Sequence, residues 1–319
     1  MEIEGVVTRI YRGHYYVELA DGEVLCCRLR SRLRKHLVYP QSRQRRQRVL
    51  QIRRGDPGGP VAVGDRVRVA RLDVQTGVIE EVLPPETELV RRAAGAEDRH
   101  WRRQRLVANV DQIMPMFAVQ EPPPNFRLLD RYLVMVEAAE LPAIICLNKV
   151  DLGLPDDVVT MARIYQVIGY PVLFTSAVTG QGLDDLRAAL QGHTTAFCGP
   201  SGVGKSSLLN AMQPGLGLAI REVSAATGKG RHTTSSVTRF SLDVGGYVVD
   251  TPGLRELGLW DVAPEDMDVY FRELAPYIDH CRFPDCIHLT EPGCAVLAAL
   301  ERGEISPERY ESYLRLRGL

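Results

Sequence analysis

The run Gly199-Pro200-Ser201-Gly202-Val203-Gly204-Lys205-Ser206 has the spacing G-x-x-x-x-G-K-[ST], and Ser207 continues it. Glycines at these positions let the backbone wrap a β-phosphate with its N–H groups, and the N-terminus of the helix that follows adds positive potential. Lys205 would bridge the β- and γ-phosphates as a compact point charge, a place where a broad planar guanidinium fits less easily. Ser206 would ligate Mg²⁺. Only four of the 39 basic residues are lysines (Lys35, Lys149, Lys205 and Lys229), so lysine kept inside such a motif is informative.

A second group lies upstream. Asn148-Lys149-Val150-Asp151 ends the apolar run Ala143 to Leu147, and the carboxyl ends of parallel strands are where α/β folds build sites. Guanine presents N1–H and N2–H₂ side by side; the Asp151 carboxylate can accept both, and adenine lacks that pair. Asn148 serves either the O6/N7 edge of the base or the tying of loops, and the Lys149 stem can lie over the base plane. Ser176-Ala177, after the run Val172 to Phe174, fits a loop closing over the base from the other side. Alone, N-K-x-D reads equally as a capped strand–helix turn; beside a phosphate loop it points to GTP.

Downstream, Val248-Val249-Asp250-Thr251-Pro252-Gly253 is a strand running into D-x-x-G. Asp250 would reach Mg²⁺ through a water, and the Gly253 N–H would sense the γ-phosphate. The hydroxyl-rich stretch Gly228 to Thr234 supplies a threonine, Thr234 in preference to Thr233, to complete Mg²⁺ coordination when GTP is bound. Leu254 stands where many GTPases carry a water-orienting Gln, so catalysis draws on another group. His232 is the candidate for positioning or deprotonating the water, against its reading as a solvated loop histidine. The base motif precedes the phosphate loop, the reverse of the conventional order. The chain therefore reads as a circularly permuted GTPase whose second switch leads directly into the C-terminal region.

Cys281-x4-Cys286-x-His288-x5-Cys294 offers three thiolates and an imidazole within 14 residues. That set favours tetrahedral Zn²⁺ in a closed, structural site. His280 is a rival nitrogen, awkwardly adjacent to Cys281. The short helical segments around the cluster read as having little core of their own, which metal would offset. The remaining four of the seven cysteines lie in strand-like apolar runs, which fits a reducing cytoplasm. From Arg28 to Arg54 there are eleven basic residues and no acidic one, among them Arg28, Arg30, Arg32, Arg34, Lys35, Arg43, Arg45, Arg46 and Arg48. Against a merely solvated loop, the absence of neutralising carboxylates favours an RNA-binding arm.

The elements that must position these groups change texture along the chain. Five short strands within about residues 1–85, with turns at Gly13 and Asp21-Gly22, suggest a small barrel of the OB type. Pro84-Pro85 ends that unit, and a polar, Arg-rich linker covers 86–105. Alternating strands and helices over 106–258 indicate an α/β domain with a mostly parallel sheet. A mainly helical region, 259–319, surrounds the Cys/His cluster. The chain has 319 residues, 45% hydrophobic and 25% charged, and a net charge of -1, so whole-molecule charge does not drive any nucleic-acid binding. No run is long enough to span a membrane and no secretory signal opens the sequence.

With permuted motifs, a preceding barrel and a following Cys3His cluster, the sequence resembles the small ribosomal subunit biogenesis GTPases, the RsgA (YjeQ) family. Ala108-Asn109-Val110-Asp111, Asn148 to Asp151, Gly199 to Ser207, Gly230 to Thr234, Asp250 to Gly253 and Cys281 to Cys294 carry the resemblance, which covers nearly the whole chain. It implies an OB-fold domain, a permuted GTPase domain and a zinc domain in a monomeric cytoplasmic protein. It also implies binding to the 30S subunit, whose 16S rRNA stimulates GTP hydrolysis, and a late role in subunit maturation. A hydrophobic residue at the position of Leu254 is typical of that family.

Overall fold

The computed structural model describes residues 2–38, 51–54, 61–92, 103–216, 237–250 and 262–319. Contacts divide the chain into two units, Met1–Asp111 with Gly192–Ala196 and His232–Leu254, and Gln112–Gln191 with Phe197–Arg231 and Arg255–Leu319.

The first unit begins with β1 (Glu2–Tyr11), β2 (His14–Leu19) and β3 (Val24–Leu29). A short antiparallel pair follows, β4 (Lys35–Val38) with β5 (Gln51–Arg54), and then β6 (Arg66–Arg71) and β7 (Thr76–Val82). Alternate residues face inward: Val7, Val17, Leu25, Cys27, Val67, Val69 and Ile79 are fully buried in one cluster. This period of two is what a strand with one wet face requires. The strand order β1-β2-β3-β7-β6 closes through a β1–β6 pairing, with β3 and β7 parallel and the other neighbours antiparallel. The result is a five-stranded OB-fold barrel.

Where the sequence suggests a linker at 86–105, the structure carries β8 (Glu88–Arg92) and the start of its antiparallel partner β9 (Arg103–Ala108). The Ala108 to Asp111 motif is tied to its surroundings within the first unit. Asn109 accepts from the Glu86 N–H and donates to the Gly64 carbonyl, both at 2.9 Å. The Asp111 carboxylate accepts from the Thr194 N–H at 2.6 Å.

In the second unit β10 (Gln112–Ala118) is buried at every residue, the mark of a strand covered on both faces. After it come α1 (Phe126–Ala138), β11 (Ile145–Asn148), α2 (Asp156–Val167), β12 (Val172–Thr175) and α3 (Leu183–Leu190). β10, β11 and β12 are parallel neighbours, in register at Ala118↔Asn148 and Asn148↔Thr175. Asn125 caps α1 by accepting from the Leu128 N–H. β13 (Thr194–Cys198), whose residues through Ala196 are counted with the first unit, then runs into the phosphate loop and α4 (Lys205–Met212). The hairpin β14 (Thr238–Ser241) and β15 (Tyr247–Asp250) belongs to the first unit, where Arg9 of β1 is paired with Thr238, and Thr238 with Asp250.

The C-terminal region holds a 3-10 turn at Pro264–Tyr270, then α5 (Ala275–Ile278), α6 (Ala295–Glu301) and α7 (Pro307–Arg317). Contrary to the sequence expectation, it has a substantial core. Met267, Phe271, Leu274, Val296, Ala299, Ile305 and Tyr313 are buried together with Cys286, Cys294 and Val134 of α1. Under them Arg309 is fully buried. Its guanidinium donates to Asp130 of α1 and, at 2.5 Å, to Glu273, while Tyr165 of α2 donates to Asp130 at 2.8 Å. Asp130 and Arg309 are 179 positions apart, so no local pattern announces the pair. Among the described residues no helix is long and apolar enough to cross a membrane.

Candidate nucleotide site and metal centre

β13 delivers the chain to the phosphate loop through the buried Phe197 and Cys198. The loop turns on three glycines of positive φ, Gly199 at 139°, Gly202 at 82° and Gly204 at 92°. Two of these turns also demand close approach. A Cβ on Gly199 would overlap the Met116 carbonyl oxygen, and one on Gly204 would overlap the Asn148 amide. Val203 is buried beneath the loop, Pro200 is half-buried and Ser201 is exposed at its crest. Lys205, Ser206 and Ser207 form the half-buried first turn of α4. The Lys205 ammonium donates to the Gly199 and Pro200 carbonyls, each at 2.8 Å.

Asn148, 1% exposed, ties loops together, one of the two roles the sequence leaves open. Its Nδ2 donates to the Val203 carbonyl at 2.9 Å, and its Oδ1 accepts from the Thr175 hydroxyl at 3.1 Å. Lys149 has a left-handed φ of 65°, a conformation costing a non-glycine residue about 1–2 kcal/mol. Its ammonium donates to the Glu121 carbonyl, and burial lowers its pKa. Val150 is buried, and Asp151 is exposed on the short turn Val150–Leu152. The buried Ser176 donates to the Asp151 carboxylate while accepting from the N–H groups of Val178 and Thr179 at 3.1 Å; Ala177 beside it is half-buried. The base motif, Ser176 and the phosphate loop are thus linked by hydrogen bonds. Burial pushes the nearby thiols of Cys146 and Cys198 up to about 12, which leaves them chemically quiet.

Asp250 ends β15, half-buried and in register with Thr238. Gly253, Leu254 and the stretch Gly228 to Thr234, with His232 and Thr234, lie outside the described residues.

The metal cluster is compact. The donor atoms of Cys281, Cys286, His288 and Cys294 all lie within 4.8 Å of one another. His288 Nδ1 is 3.5 Å from Cys281 Sγ and 3.4 Å from Cys294 Sγ, and those two sulfurs are 3.9 Å apart. Tetrahedral Zn²⁺ with bonds of about 2.3 Å to sulfur and about 2.0 Å to nitrogen needs edges of roughly 3.5–3.8 Å. The donor set therefore fits zinc. His280 is exposed and outside the cluster, which removes it as the nitrogen ligand. The other ring nitrogen, His288 Nε2, faces Asp268 Oδ2 at 3.0 Å. Such a carboxylate fixes the tautomer and ring orientation of a ligating histidine. Tyr310 and Tyr313 donate to the carbonyls of His288 and Ile287 at 2.6 and 2.9 Å. The sequence motif gives no sign of Asp268, which lies 20 positions before its partner.

Within the basic stretch, Arg28 is exposed on β3 and lines, with His14, Cys26 and Val78, a cavity of about 280 Å³ on the barrel. Arg30 departs from the expectation of an unneutralised arm. It is paired with Glu80 of β7, a carboxylate brought in by the barrel from fifty positions away. The side chains of Arg32, Arg34 and Lys35, and residues Arg43, Arg45, Arg46 and Arg48, lie outside the described set.

Residues 82–260 match the family model described as RsgA GTPase. The chain belongs to the RsgA GTPase family. A small ribosomal subunit biogenesis GTPase RsgA from Moorella thermoacetica is 43% identical, the alignment covering 98% of this chain and 95% of the relative. Its counterpart from Gemmatimonas aurantiaca is 42% identical, over 98% and 96%. Among solved structures, YjeQ from Thermotoga maritima superposes with a TM-score of 0.75 at 34% identity, over 99% of this chain and 98% of that one. YloQ, described as a circularly permuted GTPase, gives 0.70 at 31% identity, over 99% and 94%. RsgA membership agrees with the reversed motif order, the OB barrel and the Cys3His cluster.

Proposed function

We propose that this protein hydrolyses GTP with Mg²⁺ in the cytoplasm while bound to the small ribosomal subunit, in the late maturation of that subunit, with 16S rRNA stimulating turnover. The observation that carries the reading is the hydrogen bond from Asn148 to the Val203 carbonyl, which joins a guanine-type base motif to a phosphate loop. In this reading Asp151 accepts from the guanine edge, the Lys149 stem covers the base, and Ser176-Ala177 close it in. The N–H groups of Gly199 to Ser207 and the Lys205 ammonium hold the phosphates. Ser206 and Thr234 ligate Mg²⁺, Asp250 reaches it through a water, Gly253 senses the γ-phosphate and His232 positions the attacking water.

Cys281, Cys286, His288 and Cys294 would hold one Zn²⁺, which when bound supplies a structural cross-link. The OB barrel (1–85), with Arg28 and the stretch Arg32 to Arg48, would face RNA. The segment 86–105 would connect it to the GTPase domain (106–258), and 259–319 would form the zinc domain of a monomeric protein. Single-turnover and steady-state GTP hydrolysis with and without purified 30S subunits, run beside ATP, tests the proposal. The expected outcome is turnover raised at least tenfold by subunits with GTP alone. Equal use of ATP, or indifference to subunits, would refute it.

A further inference from the structure

The turn that carries Asp151 is held from two sides. On one side Ser176 grips the carboxylate itself. On the other, the three residues after β10 hold the chain around it, two of them by its backbone and one by the Lys149 side chain. The Val119 N–H donates to the Asn148 carbonyl at 2.8 Å, and the Glu121 carbonyl accepts from the Lys149 ammonium. Between them Gln120 Nε2 donates to two consecutive carbonyls, Leu152 at 2.8 Å and Gly153 at 3.1 Å. One amide nitrogen has two hydrogens, and both are used on the exit of this turn.

The turn needs such a clasp. It leaves the end of β11 through a left-handed Lys149 and exits through Gly153 at φ 91°, so both of its ends lie in conformations outside strand and α-helix. A carboxylate that must meet two donors on one base edge tolerates little displacement, because hydrogen bonds weaken steeply off line.

We propose that Gln120 is a positioning residue for guanine selectivity, holding the Val150–Leu152 turn so that Asp151 meets both N1–H and N2–H₂ of the base. The inference rests on the guanine reading of Asp151 given above. Gln120 acts through the turn and not on the base directly, by way of the Leu152 and Gly153 carbonyls.

The test uses the full chain and three diphosphates: GDP, IDP, whose hypoxanthine keeps N1–H and lacks the N2 amine, and XDP, whose xanthine carries a carbonyl in place of that amine. Affinities are measured by calorimetry for wild type, Gln120→Met, Gln120→Lys and Asp151→Asn. Gln120→Met keeps the length and removes the donor. It is expected to weaken GDP about three- to tenfold, the worth of one or two such bonds, and IDP by less. Gln120→Lys, which retains a donor of similar reach, is expected to restore most of the GDP affinity. Asp151→Asn is expected to lose GDP and gain XDP. If Asp151→Asn makes that exchange but Gln120→Met binds GDP and IDP as wild type does, the Gln120 inference falls. It also falls if Gln120→Met weakens GDP and IDP equally, since that reports general loosening rather than lost selectivity. If Asp151→Asn leaves GDP binding intact, the guanine reading itself fails.

Discussion

In the phosphate loop the groups proposed to face the nucleotide are main-chain N–H groups, and three glycines of positive φ set the course of that backbone. In the Cys/His cluster they are four side chains, three of them buried, with an outer layer of Asp268, Tyr310 and Tyr313 behind them. A backbone cradle accepts varied side chains but no Cβ where strands pass close. A side-chain cradle depends instead on every ligand and on the groups that hold its ligands still. The two sites should therefore fail differently.

The largest effect is expected at the metal. Cys294→Ala removes a ligand from a closed set, and with it an apparent binding free energy of about 10 kcal/mol or more. Zinc content should fall from one to near zero, and retention of stoichiometric metal would break the contrast. The buried core around Phe271 and Tyr313 should nevertheless keep most of the helical signal in circular dichroism. Next comes Arg309→Met, which strands Asp130 and Glu273 without their cation. It should cost about 3–5 kcal/mol of stability in denaturant unfolding, whether or not metal is bound. Gly199→Ala combines overlap with Met116 and a disfavoured φ. About 3 kcal/mol of strain, roughly a hundredfold in nucleotide affinity, is expected with zinc content unchanged. A normal affinity would show that the loop can relax.

Asp268→Asn keeps the shape of the contact to His288 and loses its charge. Zinc affinity, read by chelator competition, should drop about ten- to a hundredfold while GDP binding stays level. The smallest effect is a rate. Burial pushes Cys27, Cys146 and Cys198 up to about 12. At pH 8 only about one in ten thousand of each is thiolate, so alkylation of zinc-loaded protein should reach the half-exposed Cys26 first. Labelling of Cys198 ahead of Cys26 would mean that the strand leading to the phosphate loop opens readily.

What the sequence disclosed follows the same division. Motifs whose spacing is local, such as Gly199 to Ser206 and Cys281 to Cys294, were legible because backbone geometry or chelation fixes the interval. The barrel strands were legible from their period of two, as Val67 and Val69 illustrate. The β8–β9 hairpin escaped because its arginines mask the alternation that a half-buried strand otherwise shows. Asp268, Gln120 and the Asp130–Arg309 pair escaped for another reason. Each is a single polar residue whose partner is chosen by the tertiary fold, and a lone aspartate or glutamine has no period. The neutralising partner of Arg30 was hidden likewise, since Glu80 arrives from a different strand.

The row Arg9–Thr238–Asp250 crosses three strands. At about 4.8 Å per strand it spans roughly 10 Å of continuous pairing. A slip of one residue in either pairing would turn Asp250 to the opposite face of the sheet. The N-terminal strand thus works as a ruler laid beside the hairpin. Which way Asp250, the aspartate proposed to face magnesium, points is fixed as much by Arg9, the ninth residue of the chain, as by its own neighbours.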